Sequence, residues 1–273
     1  MDIGITGRRA LVTGSSGGIG EAIARRLAAE GAAVAINGRD PGRAAAVCAS
    51  IREAGGDAVL AVGDIESDAG VERVAAAALG GLGQIDILIN NVGGPMSEDT
   101  ARLDWFDVET RFWSGSYYKC VVAGVRFAQI LAPAMRDRGW GRIINFASVV
   151  AAQPIAFVPD YAAAKAGVKN MTVGLAKALS MSGVTVNTIT PGGIMTDAQA
   201  RWLLKIAAEK GWGDDLEEIE ARRIAETPDG PLTRRLGRPE QIADLVAVIC
   251  GPAGDFINGA NLRVDGGQTR TVN

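Results

Sequence analysis

Short β-branched runs alternate with amphipathic helical segments along nearly the whole chain, and this alternation limits the possible folds more than any other feature. Ala10–Thr13, Ala33–Asn37, Ala58–Val62, Ile85–Asn90, Arg142–Ala147 and Val184–Ile189 read as buried strands, with Asn261–Val264 as a shorter candidate. Between them, apolar residues recur at helical spacing. Ile19, Ile23 and Leu27 fall at four-residue steps, and Val71, Val74, Ala78 and Leu79 share one face. Asp40 before Pro41 reads as an N-cap followed by a proline in the first helical turn. Strand, helix and strand repeated in this way predict parallel strands with crossover helices. The expected fold class is therefore α/β: a single doubly wound parallel sheet over residues 1–273 with helices on both faces. No linker, low-complexity segment or short repeat divides it.

The alternation breaks at about 195–236, where Trp202, Leu203, Leu204, Ile206, Trp212, Leu216 and Ile219 lie among many charges without a strand signal. Two short amphipathic helices are predicted there, between the sixth strand and a helix beginning near Pro239. Such an insert leaves the carboxyl ends of the strands, where ligands bind in open α/β sheets. It reads as a short helical substrate lid, the other reading being a packed surface excursion or oligomer contact.

Composition removes several function classes. Lysine and arginine total 28 against 31 acids, so no basic field exists to hold nucleic acid or an anionic membrane. No apolar run approaches the roughly 18 residues of a membrane span, and Met1–Arg9 lacks the apolar core of a signal peptide. The chain contains 0 histidines, which excludes every histidine-dependent triad, relay and metal site, and no metal is expected. Cys48, Cys120 and Cys250 are too far apart for a CxxC motif and read as buried thiols of a reducing compartment. Together these point to a soluble, cytoplasmic protein.

Thr13-Gly14-Ser15-Ser16-Gly17-Gly18-Ile19-Gly20 follows the first strand and opens the first helix. Glycines in that context let the backbone turn sharply and bring a pyrophosphate to a helix N-terminus, the Rossmann-type arrangement. The spacing G-x-x-x-G-x-G lacks the Gly-Lys-Ser/Thr of a P-loop, which argues against an NTPase. Just past the second strand, an NAD site usually places an acid for the ribose diol and an NADP site an arginine. Here the chain reads Asn37-Gly38-Arg39-Asp40, with glycine where the acid would stand. NADP(H) is therefore favoured, with NAD(H) open if Arg39 is only a solvated residue.

Tyr161-Ala162-Ala163-Ala164-Lys165 puts a phenol and an ammonium four residues apart on one helix face. A tyrosine with an ordinary pKa of about 10 is a poor base at neutral pH, and a fixed positive charge nearby favours phenolate. Ser148 ends the fifth strand, a natural place for a hydroxyl beside a bound cofactor.

These features in this order resemble the short-chain dehydrogenase/reductase family nearly end to end. The resemblance rests on Thr13-Gly14 with Gly18-Ile19-Gly20, Asp64, Asn90-Asn91-Val92-Gly93, Ser148, Tyr161, Lys165, Pro191-Gly192 and Thr196. Gly237-Arg238-Pro239-Glu240 and Val264-Asp265-Gly266-Gly267 complete it. It implies Tyr161 as general acid or base, Ser148 as a hydrogen-bond donor to the substrate oxygen, and Lys165 as the residue that binds the nicotinamide ribose and lowers the phenol pKa. The cofactor would be held by Gly14, Ser15, Ser16, Gly18, Ile19, Gly20, Arg39, Asp64, Ile65, Asn90, Val92, Gly93, Pro191, Gly192, Ile194 and Thr196, with Tyr161 and Lys165. Asp64 would contact adenine and Thr196 the carboxamide. A homotetramer is also implied, with interfaces near Leu103–Met135 and Tyr161–Met181.

Two positions depart from the family pattern. Val92 replaces an alanine, a mild change. Cys120 stands where a catalytic asparagine normally supports a helix kink and a water chain to the lysine, and a thiol cannot copy an amide. The sequence thus predicts an NADP(H)-dependent oxidoreductase interconverting a ketone and a secondary alcohol, with a 3-oxoacyl-thioester-like or otherwise partly apolar substrate suggested by the lid. The alternatives are an NAD-linked alcohol or polyol dehydrogenase, or a cofactor-binding sensor or scaffold without turnover.

Overall fold

In the computed structural model of the protein, residues 3–94 and 104–271 are described. Seven strands among them form one parallel sheet: β1 (Arg9–Val12), β2 (Ala33–Ile36), β3 (Asp57–Leu60), β4 (Ile87–Asn90), β5 (Gly141–Phe146), β6 (Val184–Pro191) and β7 (Asn261–Val264). Their order is β3-β2-β1-β4-β5-β6-β7. The chain winds outward from β1 in one direction, then returns to β4 and winds in the other. That reversal leaves a crevice above the carboxyl ends of β1 and β4.

The strands are apolar on both sides because both faces are covered. Ala10 and Val12 enter one core layer while Leu11, between them, enters the other. The first layer is closed by α1 (Gly18–Ala29), α2 (Pro41–Glu53) and α9 (Pro239–Cys250), through Ile23, Leu27, Val47, Ile51, Ile242 and Val246. The second is closed by α3 (Asp68–Leu82), α5 (Ala123–Asp137) and α6 (Pro159–Ala178), with Val71, Val74, Phe127, Leu131 and Ala176. Asp40 caps α2 as the sequence predicts, accepting a hydrogen bond from the Arg43 amide at 3.0 Å.

A helix α4 (Thr110–Tyr117) runs into α5 through one turn of π-helix, Tyr118–Val122, with Cys120 at its centre. A π-turn is a recognised cause of helix bending and is frequent at functional sites. The π-turn is thus formed with a cysteine where the family pattern places an asparagine. Residues 103–135 include Leu103, which lies outside the described residues.

The break in alternation at 195–236 folds as α7 (Asp197–Lys210) and α8 (Leu216–Ala225). Leu203, Ala207 and Ile219 close on one another there, with Met195, Trp212, Leu216 and Leu236 around them. The buried Glu220 anchors α8 to the start of α9 through the Leu236 amide and a 3.0 Å ion pair with Arg238. Most of the segment's apolar residues therefore build its own small core instead of facing a ligand, which weakens the inference from an apolar insert to an apolar substrate.

All three cysteines are buried and unpaired. Among the described residues no helix is long and apolar enough to cross a membrane.

Candidate active site

The glycine-rich turn between β1 and α1 forms the floor of a cleft of about 580 Å³ at the sheet's reversal point. Gly14 and Gly18 have φ of +65° and +58°, left-handed values that favour glycine. Gly20 has a different reason: a Cβ there would lie 2.3 Å from the Gly14 carbonyl oxygen. The turn is therefore packed on itself, with the first amides of α1 open to an anion.

Side chains hold this turn from both flanks. Asn37 accepts a hydrogen bond from the Gly14 amide at 3.1 Å and donates to the Ala61 carbonyl at 2.9 Å. Asn91 donates to the Thr13 carbonyl at 2.9 Å, while its amide donates to the Thr13 hydroxyl at 3.0 Å. Ser15 bridges the Val12 carbonyl and the Asn37 amide and is fully buried.

Ser148, Tyr161 and Lys165 line the same cleft, together with Gly14, Ser16, Ile19, Arg39, Asp64, Ile65, Val92, Gly93, Pro191, Gly192, Ile194 and Thr196. Four other sequence-predicted residues stand behind its wall. Ser15, Gly18 and Gly20 shape the turn, and Asn90 points into the core, donating to Asn145 at 2.8 Å.

That bond begins a buried polar chain. Asn145 donates to Thr172 at 3.0 Å, Thr188 donates to Thr172 at 2.8 Å, and Thr172 donates to the Val168 carbonyl at 2.9 Å. Strands β4, β5 and β6 are thereby tied to α6, the helix that carries Tyr161 and Lys165. At the start of α6 the buried Asp160 accepts a hydrogen bond from Ser116 of α4 at 2.5 Å. A reactive helix tied at several points to a rigid sheet is what a preorganised site needs. The sequence signal for this network was polar residues within otherwise apolar strands, Ile-Leu-Ile-Asn and Arg-Ile-Ile-Asn-Phe.

Lys165 is buried and donates to the Phe146 carbonyl at 2.5 Å. Gly93 makes room for it: a Cβ there would lie 2.5 Å from Nζ. Burial holds the Lys165 ammonium below its ordinary pKa, and the nearby Lys119 adds to the effect. Burial likewise pushes the Tyr161 phenol up, as does the neighbouring Cys120, against a smaller lowering by its hydrogen bond with Ser148. Burial sets the direction of the shift, with the lysine Nζ 5.6 Å from the ring centre, and the phenol keeps its proton at neutral pH.

Thr196 caps α7 by accepting from the Gln199 amide at 3.2 Å, which leaves its own hydroxyl hydrogen free for a ligand. Asp64 uses one carboxylate oxygen on the Glu66 amide at 3.0 Å. Several residues in or beside the cleft had escaped the sequence reading. Arg43 reaches from α2 over the glycine-rich turn, where a Cβ on Gly17 would lie 2.5 Å from its Nη2. Lys119 enters from the π-turn, Glu66 from beyond β3, and Gln199 from α7. Each comes from a segment whose own periodicity says nothing about the cleft.

A dinucleotide fits this arrangement: a glycine cradle without room for a Cβ, a helix N-terminus, and cations at the far end beside the second strand. Comparison with known proteins agrees. A family model described as short chain dehydrogenase matches residues 8–206. The chain is 35% identical to a 3-oxoacyl-[acyl-carrier-protein] reductase of Vibrio harveyi, over 97% of this chain and 98% of that one. The structure of L-sorbose reductase from Gluconobacter frateurii, complexed with NADPH and L-sorbose, matches with a TM-score of 0.92 and 31% identity over 100% of both chains. A 7α-hydroxysteroid dehydrogenase complexed with NADH and a 7-oxo bile acid matches at a TM-score of 0.83 and 30% identity, over 100% of this chain and 98% of that one.

Proposed function

Since the chain belongs to the short-chain dehydrogenase/reductase family and is an NAD(P)-dependent oxidoreductase of the ketone/alcohol class, we propose that it is NADP(H)-linked and uses Tyr161 as its acid/base. The observation that carries this reading is the convergence of Ser148, Tyr161 and Lys165 with the glycine-rich turn, Arg39 and Lys119 on one cleft.

In the reductive direction the Tyr161 hydroxyl gives its proton to the substrate oxygen, and the Ser148 hydroxyl donates a hydrogen bond to that same oxygen. Burial, by keeping the phenol protonated, prepares it as an acid. In oxidation the phenolate takes the proton back. Lys165 would hold the ribose hydroxyls of the cofactor, which when bound supplies or accepts the hydride. Thr196 and the backbone around Pro191 and Ile194 would hold the nicotinamide end, and Asp64, Ile65 and Val92 the adenosine half.

The case for NADP(H) rests on the second strand's end. Gly38 presents no carboxylate to a ribose diol, and a Cβ there would crowd Ser16, lying 2.4 Å from its hydroxyl. Arg39 is exposed at the rim, and Arg43 lies across the turn; both can pair with a 2′-phosphate. Arg39→Ala and Arg43→Ala should each lower the ratio of kcat/KM for NADPH over NADH about tenfold or more, the loss of a charge-assisted pair. Equal losses with both cofactors would contradict the assignment and favour the NAD-linked alternative.

For the substrate we favour a compact, hydroxylated ketone. Leu203, Ala207 and Ile219 of α7 and α8 pack against one another, while Gln199 lines the cleft with Ser148 and Tyr161, and similarity to the L-sorbose reductase supports the same reading. A 3-oxoacyl thioester is the alternative, supported by the Vibrio relative. Following nicotinamide absorbance with NADPH against ketoses, oxoacyl thioesters and cyclic ketones separates them. Turnover confined to acyl thioesters would overturn the preference for a polar ketone.

Cys120 bears on the proton route. The π-turn forms with Cys120 at its centre, so Cys120→Asn is expected to keep the turn, and an unchanged kcat would remove a role for this position in proton delivery. A raised kcat would show that the thiol limits proton delivery to Lys165.

A further inference from the structure

Glu66 brings a second carboxylate to the adenosine end of the cleft, where the proposed 2′-phosphate would make its charge a liability. It does not stand alone. Lys119 Nζ lies 3.4 Å from Glu66 Oε1 and Arg39 Nη1 lies 4.0 Å from the same oxygen. The two cations differ in setting. The Lys119 side chain is 13% exposed and rooted in the π-turn, whereas that of Arg39 is 70% exposed.

We propose that Lys119 is a specificity-determining residue for the cofactor: by holding the Glu66 carboxylate, it leaves Arg39 available to the 2′-phosphate. The inference rests on the NADP(H) reading given above. A largely enclosed ammonium at 3.4 Å is poorly screened by solvent and holds its carboxylate firmly. The Arg39 contact is longer and water-exposed, so the arginine can exchange it for a phosphate. Without Lys119, Arg39 would be the remaining close cation of Glu66 among the described residues. The guanidinium would then be neutralised, and a 2′-phosphate would meet an uncompensated carboxylate at the rim. Lys119 thus acts on the phosphate through Glu66 and Arg39, as a positioning residue.

The test compares adenosine 2′,5′-bisphosphate with adenosine 5′-monophosphate by titration calorimetry on the full chain, so that no turnover is needed. Lys119→Met should lower the ratio of the two affinities about five- to tenfold. Glu66→Gln should raise it, and the double variant should recover at least the wild-type ratio, the coupling expected of groups acting through one another. Retained monophosphate binding shows that each variant keeps its site. The proposal fails if Lys119→Met weakens both ligands equally. It fails also if the drop persists in full in the Glu66→Gln background, since Lys119 would then touch the phosphate directly. Arg39→Ala separates the two levels. A ratio unmoved by it sinks the 2′-phosphate reading itself, whereas a ratio that falls there but not in Lys119→Met sinks this inference alone.

Discussion

Tyr161→Phe should fold, bind NADPH and lose ketone reduction by about 10³-fold in kcat, within the range ascribed to a positioned acid/base. The substitution removes one oxygen and leaves the ring, which packs against the buried Cys120, Val121, Ala164 and Val168. No charge is removed, and Lys165 keeps its own hydrogen bond to the Phe146 carbonyl. The loss should therefore appear in kcat, with cofactor affinity retained in a fluorescence titration. Residual turnover near wild type would transfer the acid role to another group and sink the assignment. The pH dependence provides a second readout. Reduction uses the protonated phenol, so its rate is present below the phenol pKa and falls as pH rises through it. Oxidation uses the phenolate and rises with pH. Because burial raises this pKa, the reduction optimum should lie at lower pH than the oxidation optimum, and both limbs should vanish with the variant. Identical optima in the two directions would argue that another group sets the profile.

The sheet was readable from the sequence because a buried parallel strand carries its signal within itself. Arg142–Ala147 as predicted and Gly141–Phe146 as folded differ by one residue at each end, and the other strands agree nearly as closely. The glycine-rich turn was readable for a related reason: Gly14, Gly18 and Gly20 are required by contacts or dihedral angles a few residues away. What stayed hidden depends on elements distant in the chain. The apolar residues of α7 and α8 announced two amphipathic helices, but periodicity does not say what an apolar face meets, and here the two helices meet each other. Arg43 of α2 carried no signal, since nothing local reveals that it reaches back over Gly17. The π-turn at Tyr118–Val122 has no proline or glycine to mark it. Nor could the residues alone give the balance at Tyr161. The pattern Tyr-x-x-x-Lys shows a cation near a phenol, while the opposing desolvation follows only from the packed cleft.

The same desolvation gives Lys165→Met an unusual expected pair of effects: a more stable protein that has lost its cofactor. Among the described residues, the buried Lys165 makes one hydrogen bond, to a neutral carbonyl, and lies near another ammonium, Lys119. A buried cation without a carboxylate partner costs stability, and replacing it by an apolar chain of similar length is commonly stabilising. A gain of about 1 kcal/mol would raise Tm by roughly 2–4 °C in a chain of this size. The sign of the pH dependence follows from the lowered pKa. Below the folded-state pKa of Lys165 both states carry the proton and the native protein bears the full cost. As pH rises from there towards the unfolded value of about 10.4 the cost disappears. The Tm gap between variant and wild type should therefore be widest on the acid side of the lowered folded-state pKa and close as pH rises from there towards about 10.4. The raised phenol of Tyr161 works oppositely, losing its stabilisation above about pH 10, but it is common to both proteins and cancels in the difference. Cofactor binding should move the other way. Loss of charge-assisted hydrogen bonds to the ribose should weaken NADPH by about 10- to 100-fold, so the Tm rise that NADPH gives the wild type should largely vanish. A variant less stable than wild type at neutral pH would mean that the bond from α6 to the Phe146 carbonyl outweighs desolvation. Lys165 would then be a structural tie between α6 and β5 rather than a charge kept at a cost for its work on the cofactor.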